Sequence, residues 1–273
     1  MEKPEITGRF AWQQSEVYPS FIEGEDAPIV FDALGNVPHN LQLDRKNQIV
    51  TGSSNIGAAR IDTIVRPYGF RVATLYDLSR PEVMKMIEGK HYADTPALAL
   101  ISHEDSYKRN NSIIKQLVDL IEDKNGKVEF PLLVTGFDYR PDEKNKDYGA
   151  RIVARDDFRA LHEDRLQGEN NEKRFTGVDE IGMPIFDKNG TRIFYVKGNG
   201  VSRFVLDVGL GLYAYWGDLD ISGAVGRVVL IRDAVATAQK NFGTEEINKQ
   251  YEIQFRELNA RKERALRVLQ GKE

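Results

Sequence analysis

Three polar clusters in the first half of the chain hold the residues whose types and spacing suit chemistry. The first is Thr51-Gly52-Ser53-Ser54-Asn55-Ile56-Gly57, directly after the apolar run Gln48–Val50. Glycine and hydroxyl residues behind a strand can turn backbone N–H groups toward a phosphate, so Thr51, Gly52, Ser53 and Ser54 are the candidate anion-binding set. The second is Ser102-His103-Glu104-Asp105-Ser106, where His103 suits a general base and Glu104 or Asp105 its orienting carboxylate. The third is Thr135-Gly136-Phe137-Asp138-Tyr139-Arg140, which adds the Asp138 carboxylate and an arginine, Arg140, for an anionic group. If the three clusters share one sheet edge, His103, Glu104 and Asp138 form a catalytic set acting on a phosphorylated or nucleotide-like substrate. Each cluster also has a plain reading: a turn after a strand, or the acidic first turn of a helix.

The stretch TGSSNIG resembles the opening of the short-chain dehydrogenase fingerprint TGxxxGxG, matching in kind at Gly52 and Gly57. It is one residue short, lacks the middle glycine, and the chain holds no Tyr-x-x-x-Lys pair, so the family is not assigned. With no cysteine and four histidines, none at His-x-x-x-His spacing, thiolate chemistry is excluded and neither a metal site nor a cofactor is expected. Asp187-Lys188-Asn189-Gly190 starts like a calcium loop, but Gly198 stands where the twelfth-position glutamate belongs, which favours a β-turn.

The elements that must position these clusters follow from periodicity and punctuation. Ala97–Ser102, the stripe Ile113, Ile114, Leu117, Val118 and Ile121, and Val128–Thr135 read as strand 97–102, helix 107–123 and strand 128–135, a right-handed parallel βαβ unit. Upstream, Ile29–Phe31 and Gln48–Val50 read as strands, and Ile61–Val65 and Phe70–Leu75 as strand, turn, strand around Pro67. Ser79-Arg80-Pro81-Glu82 has capping-box form and opens a short helix over 80–88. Asp138–Asp147 reads as a loop, Ala150–Ala154 as a strand and Asp156–Leu166 as a short helix. The fold class is α+β. Its parts are a mixed portion over 1–166, a polar break at 167–174, an antiparallel glycine-punctuated β-rich portion over 175–239 packing on the first, and an amphipathic helix over 244–270, either as separate portions or all in one domain.

The most apolar and aromatic stretch, residues 191–232, is cut regularly by glycine and reads as scaffold. Its Tyr213, Tyr215 and Trp216 suit core packing, or stacking on a base or sugar. A net charge of −4 gives no strong electrostatic case for nucleic acid, although the basic end of 244–270 leaves an RNA- or ribosome-associated role as a further alternative. No apolar run is long enough to span a membrane, and the N-terminal residues MEKPEITGRF lack the apolar region of a secretory signal, so the expected location is cytoplasmic. With no complete catalytic signature, the leading expectation is a binding or assembly protein that self-associates through 244–270. A phosphate-containing small molecule is the alternative partner.

Overall fold

Leu98 and Leu100 point to one side of a sheet and Ala97 and Ala99 to the other, and both sides are buried. This run belongs to an interior strand of the main sheet. The computed structural model describes residues 17–168 and 172–233. In chain order it holds β1 (Val17–Ser20), α1 (Asp26–Ala33), β2 (Gln42–Asp44), β3 (Ile49–Thr51), α2 (Asn55–Val65), β4 (Phe70–Val72), α3 (Pro81–Ile87) and β5 (Ala93–Leu100). There follow α4 (Asn111–Asn125), β6 (Leu132–Pro141), β7 (Ala150–His162), β8 (Lys173–Val178), β9 (Pro184–Phe186), β10 (Arg192–Val196), β11 (Val201–Leu206), β12 (Leu212–Ala214) and β13 (Leu230–Asp233). The fold is α+β.

Eight strands form one sheet in the order β7-β6-β5-β11-β12-β10-β8-β9. All neighbours are antiparallel except β10 and β12, which pair in parallel, so the C-terminal β-rich portion is not wholly antiparallel as expected. Strands from before and after the polar break thus share a single sheet. β11, buried at all six positions, joins the two sets through β5. One face packs under α4 through Ile113, Ile114, Leu117 and Ile121. The other is filled by Phe175, Phe194, Phe204 and Leu212. A small sheet, β1-β13-β4, and the hairpin β2-β3 complete the architecture. Val17–Arg232 is one compact unit, and residues 1–16 and 234–273 lie outside the described residues. The helix expected over 244–270 therefore falls outside the described residues.

Several expectations are corrected. The βαβ unit is not parallel: β5 and β6 are neighbours, but antiparallel, with Leu100 opposite Leu132. The chain leaves β5 and enters β6 at the same end of the sheet, because α4 and residues 126–131 bring it back to its starting end. Apolar periodicity marks strand, helix, strand without stating that direction. Ile61–Val65 is helical, not extended. Ser54 caps α2 by accepting the Gly57 N–H, and Ile56, Ala58, Ala59, Ile61 and Val65 bury its core-facing side, so packing overrides the β-branched composition. Ile29–Phe31 is likewise helical, inside α1. Asp156–His162 continues the 13-residue strand β7, paired with β6 along its length. Asp138–Pro141 is strand, so the expected loop shrinks to the turn after it, and β6 starts only beyond Pro131. The helix at Pro81 forms, but without its capping box; Ser79 Oγ instead accepts from Arg192.

Candidate functional site

The antiparallel register decides where the expected site residues lie. His103 and Glu104 are exposed in the loop beyond the end of β5, where the His103 ring meets Phe130 edge to face at 4.5 Å. Asp138 lies six residues into β6 from Leu132, and so about 20 Å toward the opposite end of the strand at roughly 3.4 Å per residue. There it is buried and bound by Arg60 at 2.9 Å and Arg140 at 2.8 Å. Burial pushes the Asp138 carboxyl up, against the pull of the two arginines. Asp138 and Arg140 thus meet each other but do not meet His103 and Glu104.

The Thr51–Ser54 turn is spent on the fold. Gly52 has φ +90° and donates to the Gly226 carbonyl, and a Cβ there would lie 2.2 Å from Ser222 Oγ. Ser53 Oγ accepts the Asp94 N–H, and Ser54 Oγ donates to the His39 carbonyl. The first N–H groups of α2 go to Leu219 and Ser54. The Gly52, Ile56 and Gly57 N–H groups and the Ser54 hydroxyl are therefore bonded within the protein. Among the described residues, no group of three His, Cys, Asp or Glu is arranged to hold a metal ion, and no helix is long and apolar enough to cross a membrane.

Thr51 and Gly52 border a small cavity of about 20 Å³, and a larger concave site among the described residues lies elsewhere. A cleft of about 430 Å³ lies between Ser106–Tyr107, Lys197–Asn199 and Tyr215–Asp218. Its base is built on Asp105, the acid that the sequence places before α4. The buried carboxylate accepts the Tyr107 N–H at 2.8 Å, the Val201 N–H at 3.1 Å, Asn110 Nδ2 at 2.7 Å and the Lys197 ammonium. Burial alone would raise its pKa. The bonds from Asn110 and Lys197, with the two backbone donors, outweigh burial and hold it below the usual carboxylate value. One side chain thereby ties together the loop before α4, the start of β11 and the lysine of the cleft wall.

Asn110 carries the ties further. Its Nδ2 donates to the Gly217 carbonyl at 3.0 Å, and its Oδ1 accepts the Tyr148 hydroxyl at 2.7 Å. The Arg109 guanidinium lies 3.9 Å above the Tyr148 ring and makes two 2.8 Å bonds to Asp220. Two glycines border these contacts. Gly200 has φ +72°, and a Cβ there would sit 2.3 Å from the Asp105 carboxylate; at Gly217 it would sit 2.9 Å from Lys197 Nζ.

The opposite wall is aromatic. Tyr195 and Tyr213 are cross-strand partners in the parallel pair β10–β12, and their rings stack at 5.1 Å. Trp216 continues the stack at 4.9 Å from Tyr213. It is also fixed by its carbonyl, which accepts the Arg203 N–H, and by the Arg203 guanidinium, 5.7 Å from its ring. Arg203 is itself held by the buried Asp94 at 2.8 Å and the Ile221 carbonyl at 3.0 Å. Tyr107, Tyr215 and Trp216 line the cleft with 39%, 43% and 38% of their surface exposed. The Tyr107 hydroxyl interacts with the Asp218 carboxylate, which raises its pKa, and with Arg109.

The sequence marked Tyr213, Tyr215 and Trp216 as a group able to pack or to stack, and Asp105 as an acid ahead of a helix. Tyr107, Lys197 and Asp218 carried no signal of their own, because their meeting depends on which strands are neighbours. Compared with known proteins, the chain matches no family model, no curated protein and no solved structure, so the reading of this cleft rests on its own geometry.

Proposed function

We propose that this chain is a binding protein and that its site is the cleft between Tyr107 and the Tyr215–Trp216 wall. The observation that carries this reading is the pairing of exposed rings with a fixed floor. Three aromatic side chains stay more than a third exposed around a concavity of small-molecule size. The polar groups beneath them are locked by Asp105 and Asn110. Large aromatic faces left open to water are costly on a surface with no use for them, whereas a ligand with a flat or alkyl face gains from covering them. A pre-formed floor adds affinity, because little order must be acquired on binding.

Binding is better supported than catalysis because Lys197 and Arg109 are already paired with Asp105 and Asp220. The catalytic alternative needs His103, Glu104 and Asp138 at one edge, and the β5–β6 register separates them. Self-association through 244–270 is a second proposal and rests on the sequence alone.

The test is a thermal-shift screen of small polar and ring-bearing compounds on the wild type, Tyr215→Ala and Tyr107→Ala. A compound present at 100 times its Kd stabilises the wild type by about 2.7 kcal/mol, and both variants should lose that shift. Hits that shift all three proteins equally would place binding away from this cleft and refute the proposal.

A further inference from the structure

The charges around the cleft do not cancel. Lys197 is matched by the buried Asp105, and Arg109 by Asp220 through two bonds. Asp218, which lines the cleft, has the Tyr107 hydroxyl rather than a cation as its partner among the described residues. Arg203, against the Trp216 ring, is likewise matched by Asp94, so Asp218 is the carboxylate among these left without a cation, and it sits beside three exposed rings.

Resting on the proposal that this cleft is a binding site, we infer that its ligand carries a compact organic cation, an alkylated ammonium group, held by Tyr107, Tyr215 and Trp216 with Asp218 as counter-charge. Aromatic faces carry negative potential and attract a cation within about 6 Å of the ring centre. A plain ammonium would have to give up hydrogen bonds to water that rings cannot replace. An alkylated one presents methyl groups, which cover the rings while its charge meets their faces and the carboxylate. Tyr107 is the residue that joins the two features, since its ring borders the cleft and its hydroxyl reaches Asp218. At about 430 Å³ the cleft is larger than a trimethylammonium head alone, so the ligand extends beyond that head, toward Ser106 and Asn199 on the polar side. An inorganic or organic phosphate is disfavoured here, because it would bring negative charge to Asp218 with both nearby cations already matched.

The chain has two tryptophans, so Trp12→Phe in the full-length protein leaves Trp216 as the sole indole reporter. Emission is titrated with choline chloride, with its neutral isostere 3,3-dimethylbutan-1-ol, with ammonium chloride and with inorganic phosphate, at constant ionic strength. Choline should give a saturable change, the isostere should bind at least about tenfold more weakly, and ammonium and phosphate should give no saturation. Asp218→Asn should weaken choline about tenfold and leave the isostere unchanged. Equal or tighter binding of the isostere, or saturation by phosphate, overturns the cation assignment while leaving a working cleft. If no compound in this set saturates, the cation assignment is likewise overturned. If in addition the broader screen finds nothing sensitive to Tyr215→Ala in a folded protein, the cleft reading falls with it.

Discussion

Replacing Asp105 with asparagine tests whether one buried carboxylate holds the cleft together. Oδ1 accepts from Tyr107 N and Lys197 Nζ; Oδ2 accepts from Asn110 Nδ2 and Val201 N. Asparagine keeps one acceptor oxygen and turns an NH2 group toward the other two donors. With the amide oxygen in the Oδ1 position, Asn110 still has the Gly217 carbonyl, but the Val201 N–H is stranded. A stranded buried donor costs about 1–3 kcal/mol, and the lost charge on the bond from the largely buried Lys197 adds about 1 kcal/mol, so the expected loss is about 3 kcal/mol. With a urea slope of about 3 kcal/mol/M, the unfolding midpoint falls by about 1 M. The variant should also respond less to acid. The Asp105 pKa is depressed in the folded protein, so its contribution is present above the unfolded carboxyl value near 4 and is lost as pH falls through the folded value. Adding Lys197→Met to the variant should cost less than it does in the wild type, because the two residues share one interaction. A midpoint within about 0.2 M of wild type, with unchanged Trp216 emission, would show that the cleft floor does not depend on this carboxylate.

Arg203→Met should cost about 3–5 kcal/mol, because it leaves Asp94 buried without its partner; Asp94→Leu combined with it should recover part of that loss in urea unfolding. Gly200→Ala combines a left-handed backbone, worth about 1–2 kcal/mol, with a Cβ driven into Asp105, so it should lower stability and shift Trp216 emission together; an alanine variant as stable as wild type would contradict so close an approach of Gly200 to Asp105. Burial holds the His39 pKa below 6.5, and its Nδ1 accepts the Leu41 N–H at 2.9 Å. A depressed histidine contributes above its unfolded pKa and loses that contribution as pH falls through its folded value, so His39→Asn should flatten the loss of stability between pH 7 and pH 5.5. For the proposed self-association, light scattering should give a lower mass for a chain ending at Gly243 than for the whole protein.

What was legible in the sequence, and what was not, divides along a physical line. Residues 191–232 read as the organising stretch from composition alone, and they supply β10, β11 and β12 at the middle of the sheet. Helix α4 was legible because Ile113, Leu117 and Ile121 repeat at the helical period on a polar background. Helix α2 was not, because Ile61, Thr63, Ile64 and Val65 are β-branched and only the Ser54 cap and the packing against β5 and β6 make them helical. The grouping of the candidate site residues turns on a different feature. His103, Glu104, Asp138 and Arg140 come together only if β5 and β6 are parallel, and reversing one strand moves Asp138 from one end of the sheet to the other. The same reversal brings no new chemistry to His103. The cleft instead gathers Tyr107, Lys197 and Trp216, which are separated by up to 109 positions, because β11 lies between β5 and β12 and its first residue is tied to Asp105. Strand order is a property of the whole chain, so a site assembled across it is invisible to any local pattern. A buried acid such as Asp105, with more donors around it than a helix start requires, is the feature that betrays such a site once the strands are placed.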